Sequence, residues 1–334
     1  MATIGNKFVD LIDVYKLQDP DGSTADIIEM LAQMNGVVKS AHTVECNNGS
    51  KHITTVRSGY PSVAWGKLYK GIPQSKNRMT QVEDTTGFAE SLSTIDQRIL
   101  NRYAQDKRSM IRLSEAKGFI EAMSQAIENK FFYGNTASAP EEFLGLAPRF
   151  NDLSADNGNQ IVDAGGTGAD NTSVWFVTWG DNQTHLLYPE GTKAGLQRDD
   201  KGEQKAFDEN GDGYFTEEEL FHWDIGLTVR NWKNVSRVAN IDVSELKAGN
   251  VDIYKYMRQA WYRLDNRRAA AGRIAIYCNT DVLEALDAMG TNSGANDNYA
   301  RLRPMEIQGE EIDAYRRTPI YETDGILNTE AQVT

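Results

Sequence analysis

The stretch FDENGDGYFTEEEL carries the sharpest chemical pattern in the chain. Asp208, Asn210, Asp212, Gly213, Thr216 and Glu219 fall at positions 1, 3, 5, 6, 9 and 12 of a calcium loop. Side-chain oxygens of Asp208, Asn210 and Asp212, the Tyr214 carbonyl and a bidentate Glu219 would surround a hard dication with oxygen. The flanks point elsewhere. LQRDDKGEQKAF, just before, is not an amphipathic helix, and the chain turns strand-like by Trp223. The other reading is an acidic hairpin tip whose Asn, Asp and Gly serve turn geometry. Calcium is the one cofactor the sequence suggests, and the hairpin tip is the preferred reading.

Catalytic constellations are missing from the sequence. His42, His52, His185 and His222 are the only histidines; none sits in HExxH, and no GxSxG elbow occurs. GGTGADN is followed by no GK[ST], so it is a flexible break and not a phosphate loop. The acid pairs Glu141–Glu142 and Glu310–Glu311 are sequence neighbours, which a strand would turn to opposite faces. Arg267, Arg268 and Arg273 read as charges at a helix C-terminus. The expectation is a protein that is not an enzyme.

The elements around these residues are organised by a rod. SMIRLSEAKGFIEAMSQAIENKFFYG predicts one long amphipathic helix over about 107–134. Leu113, Ala116, Ile120, Met123, Ile127 and Phe131 form its inner stripe; Glu115, Lys117, Glu121, Gln125, Glu128 and Lys130 fall largely off it. Gly134 is expected to end it in a left-handed conformation. A rod of some 25 residues is roughly 35–40 Å long. FFYGNTASAPEEFLGLAPRF then gives a hydrophobic loop with Phe143, Leu144, Leu146 and Phe150.

Upstream, STADIIEMLAQMNG predicts a short helix capped by Ser23 or Thr24, with Ile27, Ile28, Leu31 and Met34 inward. Residues 37–90 are polar and rich in Gly and Pro, with strand-like HITTVRS, PSVAWGKLY and MTQVED. That composition fits an extended arm covered by another subunit, or a surface excursion on its own domain. STIDQRILNRY predicts a second capped helix from Ser93. TSVWFVTWG and THLLYPEG read as buried strands joined by a tight turn, and FHWDIGLTVRNWKNVSRVANID as two more around Trp232. VDIYKYMRQAWYRLDNRRAA, RIAIYCN and TDVLEALDAMG follow as helix, strand and helix. LRPMEIQGEEIDAYRRTPIYETDGIL closes with a hairpin and a strand.

Bulk properties are those of an ordinary globular chain. It has 334 residues, 40% hydrophobic and 25% charged, with a formal net charge of −13. No run of about 18 apolar residues suggests a membrane span, and MATIGNKFVDLIDVYK does not read as a signal peptide. Cys46 and Cys278 fit no metal spacing, so a reduced, cytoplasmic origin is expected. Net acidity argues against nonspecific nucleic-acid binding.

FFYGNTASAPEEFLGLAPRF, after a helix containing SEAKGFIEAM, resembles the segment following the spine helix in tailed-phage major capsid proteins of the Hong-Kong-97 type. Within these it is most like the short-tailed, epsilon-fifteen-like group. TTVRSGYPSVAWGKLYKGIPQSK is similar to their long hairpin arm, the E-loop, which lies over a neighbouring subunit. The resemblance implies an α+β fold with a long spine helix, a peripheral β-sheet domain, an axial α/β domain and that arm. The strand pair around Trp232 precedes the axial segment, so strand order is expected to be rearranged from the prototype. The implied divisions are 1–36, N-terminal arm and short helix; 37–90, extended loop; 91–250, peripheral domain; and 251–334, axial domain. The implied function is self-assembly, as hexamers and pentamers, into an icosahedral head around double-stranded DNA. Portal, scaffold and decoration proteins are the implied partners. The implied location is the virion, after synthesis in the bacterial host cytoplasm. Two other functions fit the residues: a soluble calcium-binding protein built on 208–219, and a capsid-like nanocompartment shell.

Overall fold

A computed structural model describes residues 35–334 apart from 209, 266, 268–271, 292–301, 308 and 309. The expected helix after Ser23, Arg268 and the Gly/Asn-rich loop after 291 lie outside the described residues. Among those described, thirteen strands join in one connected sheet. They are β1 (Thr43–Glu45), β2 (Lys51–Gly59), β3 (Arg78–Asp96), β4 (Ile161–Asp163), β5 (Asn171–Trp179), β6 (Thr184–Tyr188), β7 (Gln197–Phe207), β8 (Gly213–Val229), β9 (Val235–Asp242), β10 (Arg273–Cys278), β11 (Leu302–Ile307), β12 (Glu310–Tyr315) and β13 (Thr318–Glu322). The path runs β11-β12-β13-β10-β5-β6-β8-β3-β2, with β1 on β6, β4 and β5 on β9, and β7 on β8.

The centre is β5, every residue of which is buried. Side chains alternate across a strand, and here the two faces belong to two cores. Trp175, Val177 and Trp179 pack with Ile127, Phe131 and Phe132 from the long helix, and with Phe143, Leu146 and Phe150 from the loop after it. Val174 and Phe176 face Ile253, Met257, Ala260 and Leu264 of helix Ile253–Arg263, and Val282 and Leu286 of helix Thr280–Thr291. The helix–strand–helix expected from 251 onward therefore covers one face of the sheet, with β10 between β5 and β13. β5 and β6 share only the Trp179–Thr184 bridge and do not form a hairpin. β6 instead turns to pair with β8 and β1.

The long helix spans Gln105–Tyr133. Its buried line is Ile111, Ala116, Met123, Ile127 and Phe131, whereas Leu113 and Ile120 are 50% and 38% exposed. Four of the six residues of the expected stripe are thus buried and two are not. The first half of the rod lies on β8, where Phe119 stacks on Phe221 at 5.6 Å, and the contact line follows that strand. Glu128, expected off the stripe, is buried because its Oε1 accepts the Val37 N–H (3.0 Å). Met123→Asp should therefore cost several kcal/mol, since an unpaired carboxylate would be buried. Ile120→Asp should cost about 1 kcal/mol or less. Urea unfolding midpoints of the two variants check this, and equal midpoints would place the wrong face inward.

Gly134 also differs from expectation. Its φ of −53° is not left-handed. Gly is required because a Cβ would lie 2.4 Å from the Phe143 carbonyl oxygen and 2.6 Å from that of Lys130. β3 continues to Asp96 because its ladder with β8 runs from Thr86–Gly226 to Asp96–Thr216. The helix expected from Ser93 shrinks to Gln97–Leu100, with Asp96 as its cap. PSVAWGKLY forms no strand. No described helix is long and apolar enough to cross a membrane.

Candidate assembly surfaces

The β2–β3 ladder pairs from Lys51–Thr85 to Gly59–Arg78 and then opens into 60–77. This tip is held internally by little: the Lys70 N–H donates to the Lys67 carbonyl (3.2 Å), and Ser75 Oγ to the Ser62 carbonyl (3.0 Å). Tyr60, Val63, Trp65, Leu68, Tyr69 and Ile72 are each 82–106% exposed. Isolated exposed apolar residues are ordinary, but a contiguous set marks an interaction surface. Covering six such side chains would contribute on the order of 10 kcal/mol before ordering costs.

The root of this arm is fixed firmly. Gly87 lies so close to the loop after the long helix that a Cβ would sit 2.6 Å from the Glu141 carbonyl oxygen. Asp84 is buried, accepting from Arg149 Nη2 (2.8 Å) and Thr228 Oγ1 (2.5 Å). Arg149 also donates to the Leu227 carbonyl (3.0 Å). His52 of β2 meets His185 of β6 edge to face, ring centroids 5.5 Å apart. Burial lowers the His185 pKa to about 4, and burial together with Arg230 lowers that of His52, partly offset by Asp84.

A depressed histidine pKa favours the neutral ring in the folded state. Its contribution to stability is whole above the unfolded value near 6.5 and declines as pH falls toward about 4. His185→Gln, neutral throughout, should flatten that part of the stability–pH curve. Urea midpoints of the unassembled subunit at pH 7.5, 6 and 5 provide the check; parallel curves would contradict it.

The residues of the acidic loop are distributed along the β7–β8 hairpin. Asp208 shapes the turn: its Oδ1 accepts the N–H of Asn210 (2.9 Å) and of Asp212 (2.8 Å), and Gly211 takes a φ of +86°. Tyr214 is half-buried at the start of β8. Glu219 lies seven residues beyond Asp212, along about 20 Å of strand. There it is 4% exposed, accepting from Arg198 Nε (2.9 Å) and Nη2 (2.8 Å) and ion-paired with Arg112. Arg112 also reaches Asp200 (2.8 Å) and Glu217 (3.2 Å), and holds Asp200 below the usual carboxylate range. This network ties the front of the long helix to the hairpin. Asp208, Asn210 and Asp212 share the turn, while Glu219 belongs to the arginine network. Among the described residues no group of three or more His, Cys, Asp or Glu side chains is arranged to hold a metal. His222 bridges Glu90 (3.1 Å) and Asp224 (2.7 Å).

A buried polar cluster that sequence patterning did not reveal fastens residues 323–334. Glu330 Oε2 accepts from Arg237 Nη2 (2.9 Å) and from Ser173 Oγ, and its Oε1 accepts from the Tyr133 hydroxyl (2.5 Å). Arg237 donates onward to the Phe150 carbonyl (2.7 Å) and lies over the Trp175 ring at 4.8 Å. The end of the long helix, β5, β9 and this segment are thereby joined. The available signal was an arginine inside the otherwise apolar strand VSRVANID.

A family model described as major capsid protein GP7 matches residues 19–334. A chain of the bacteriophage Epsilon15 cryo-EM structure is 32% identical, with 100% of each chain covered and a TM-score of 0.78. The bacteriophage JBD30 capsid is a remote likeness, at 9% identity over 89% of this chain and 93% of that one, with a TM-score of 0.49. No curated protein matches the chain. The α+β architecture and long helix agree with the Hong-Kong-97-type fold that the Epsilon15 likeness carries. With the family match covering nearly all of its length and the fold and exposed arm in accord, the chain belongs to the GP7 family of major capsid proteins, the subunits of an icosahedral phage shell.

Proposed function

We propose that this subunit works by packing and not by catalysis, and that the β2–β3 arm is its clasp on a neighbouring copy. The carrying observation is the arm tip, whose Trp65, Leu68, Tyr69 and Ile72 are exposed in the single chain. A tip that is apolar at its end and rigid at its root suits insertion against another subunit. In this reading 37–90 is the intersubunit arm, 91–250 the peripheral domain with the spine helix, and 251–334 the axial domain that meets its symmetry mates. The N-terminal arm expected over 1–36 lies, but for 35 and 36, outside the described residues. Hexamers and pentamers enclose double-stranded DNA without reading its sequence, and portal, scaffold and decoration proteins complete the virion. Synthesis takes place in the bacterial host cytoplasm.

The test is assembly of the purified chain, followed by negative-stain microscopy with and without EGTA. Closed particles hundreds of ångströms across are expected in both conditions. A monomer whose stability follows calcium would overturn the reading and return residues 208–219 to a regulatory site. We further expect protease sensitivity across residues 200–222 to be unchanged by chelation, because Asp208 already serves the turn and Glu219 the arginines. Loosening on adding EGTA, reproduced by Glu219→Ala without chelator, would instead establish a calcium site.

A further inference from the structure

The arm tip is basic as well as apolar. Between His52 and Val82 the sequence holds no Asp or Glu, yet Arg57, Lys67, Lys70, Lys76 and Arg78 all lie there, each exposed. The opposite character appears at the far end of the same ladder. β3 runs without a break from Arg78, beside the tip, to Asp96, paired with Thr216 near the start of β8. That is about 60 Å of strand. Around and beyond that pair the end of the β7–β8 hairpin presents exposed Glu203, Asp208 and Asp212 and half-exposed Glu218, together with Phe207 and Phe215, which are 63% and 50% exposed. Lys205, one of the few cations there, lies over the Phe207 ring at 5.0 Å.

We propose that the basic, aromatic arm tip of one copy docks on the acidic, Phe-bearing end of the β7–β8 hairpin of a second copy. This rests on the clasp reading and names the surface that the clasp grips. Two unlike patches at opposite ends of one ladder cannot meet within a subunit. Joined between subunits, they make a head-to-tail contact, the kind that closes into rings when the rotation per subunit fits. Opposite charge speeds encounter and disfavours tip-to-tip and hairpin-to-hairpin pairing. The aromatic residues on both sides supply the area to be buried.

The experiment is a charge swap in the full chain. Lys67→Glu/Lys70→Glu/Lys76→Glu reverses the tip, and Glu203→Lys/Asp212→Lys/Glu218→Lys reverses the hairpin while leaving Asp208 to its turn. Each triple variant should keep the wild-type circular dichroism and melting temperature, and each should lower closed-particle yield at least tenfold. The six-fold variant carrying both reversals should recover most of that yield. Lys67→Gln/Lys70→Gln/Lys76→Gln is the milder control: its assembly rate should respond to added salt much less than that of wild type. Normal assembly of either triple variant overturns the proposal, as does failure of the six-fold variant to recover although it is folded. An arm-excised chain separates the two levels. If it does not assemble while the hairpin-reversed chain does, the clasp stands and its receptor is another face; if it does assemble, the clasp itself falls.

Discussion

Replacing residues 59–74 with a short Gly/Ser linker should leave a folded, soluble subunit and abolish closed particles. The tip supplies no buried apolar side chain to either principal core. The arm's attachment through Asp84, Arg149, His52 and Gly87 lies outside the excised stretch. Shortening the connection changes chain entropy only logarithmically with length, well below 1 kcal/mol for a halving. Helical circular dichroism and the urea midpoint should therefore stay near wild type. Assembly should fail, or yield particles that dissociate on dilution, because the cover for six exposed apolar residues no longer has a ligand. Unfolding of the variant would mean that the arm belongs to its own core. Normal assembly would remove the clasp and leave the fold intact.

Glu330→Ala should be the most damaging single substitution outside the apolar cores. The Glu330 and Arg237 side chains are each 3% exposed, so truncating the acid strands a guanidinium in the interior. Breaking a buried pair from one side costs about 3–5 kcal/mol, a large share of the roughly 5–15 kcal/mol that holds a domain folded. Tyr133→Phe removes one hydrogen bond to the same carboxylate and should cost about 1–3 kcal/mol. Replacing both charges together, Arg237→Met/Glu330→Leu, should cost less than Glu330→Ala alone, since no charge is then left unpaired. The exposed His42–Asp181 contact offers a contrast, and Asp181→Ala should leave the urea midpoint close to wild type. Urea midpoints of these variants decide the order. If Glu330→Ala falls within about 1 kcal/mol of wild type, the cluster is not the fastening that its geometry indicates.

The parts of this fold legible in the sequence are those that obey a period or a composition. β5 and β10 announced themselves as apolar runs between turns, and the long helix by its recurrence of apolar residues. The arm was marked by Gly, Pro and scarce apolar residues. Where expectation and structure part, one element is deciding the conformation of another. Leu113 and Ile120 have the type and spacing of core residues, but the rod crosses β8 along a different line. Ser93 looks like a helix cap, yet pairing with Glu219 keeps it in the strand. The loop around Asp208 has the spacing that wraps an ion between helices. Here its neighbours are strands, and the ladder from Phe207–Gly213 to Gln197–His222 pulls the same residues out straight. The 323–334 segment was illegible because it is held by Glu330, Asn240 and backbone groups, with little periodic apolar pattern to betray it.

The central claim is that the arm tip, exposed in one chain, is covered in the shell. Oxidative footprinting of Trp65 and Tyr69 by mass spectrometry, on unassembled subunits and on closed particles of the same protein, measures this directly. At least a tenfold fall in reactivity at both residues on assembly is predicted. Equal reactivity in the two states would show that the tip stays in solvent, and would contradict the clasp.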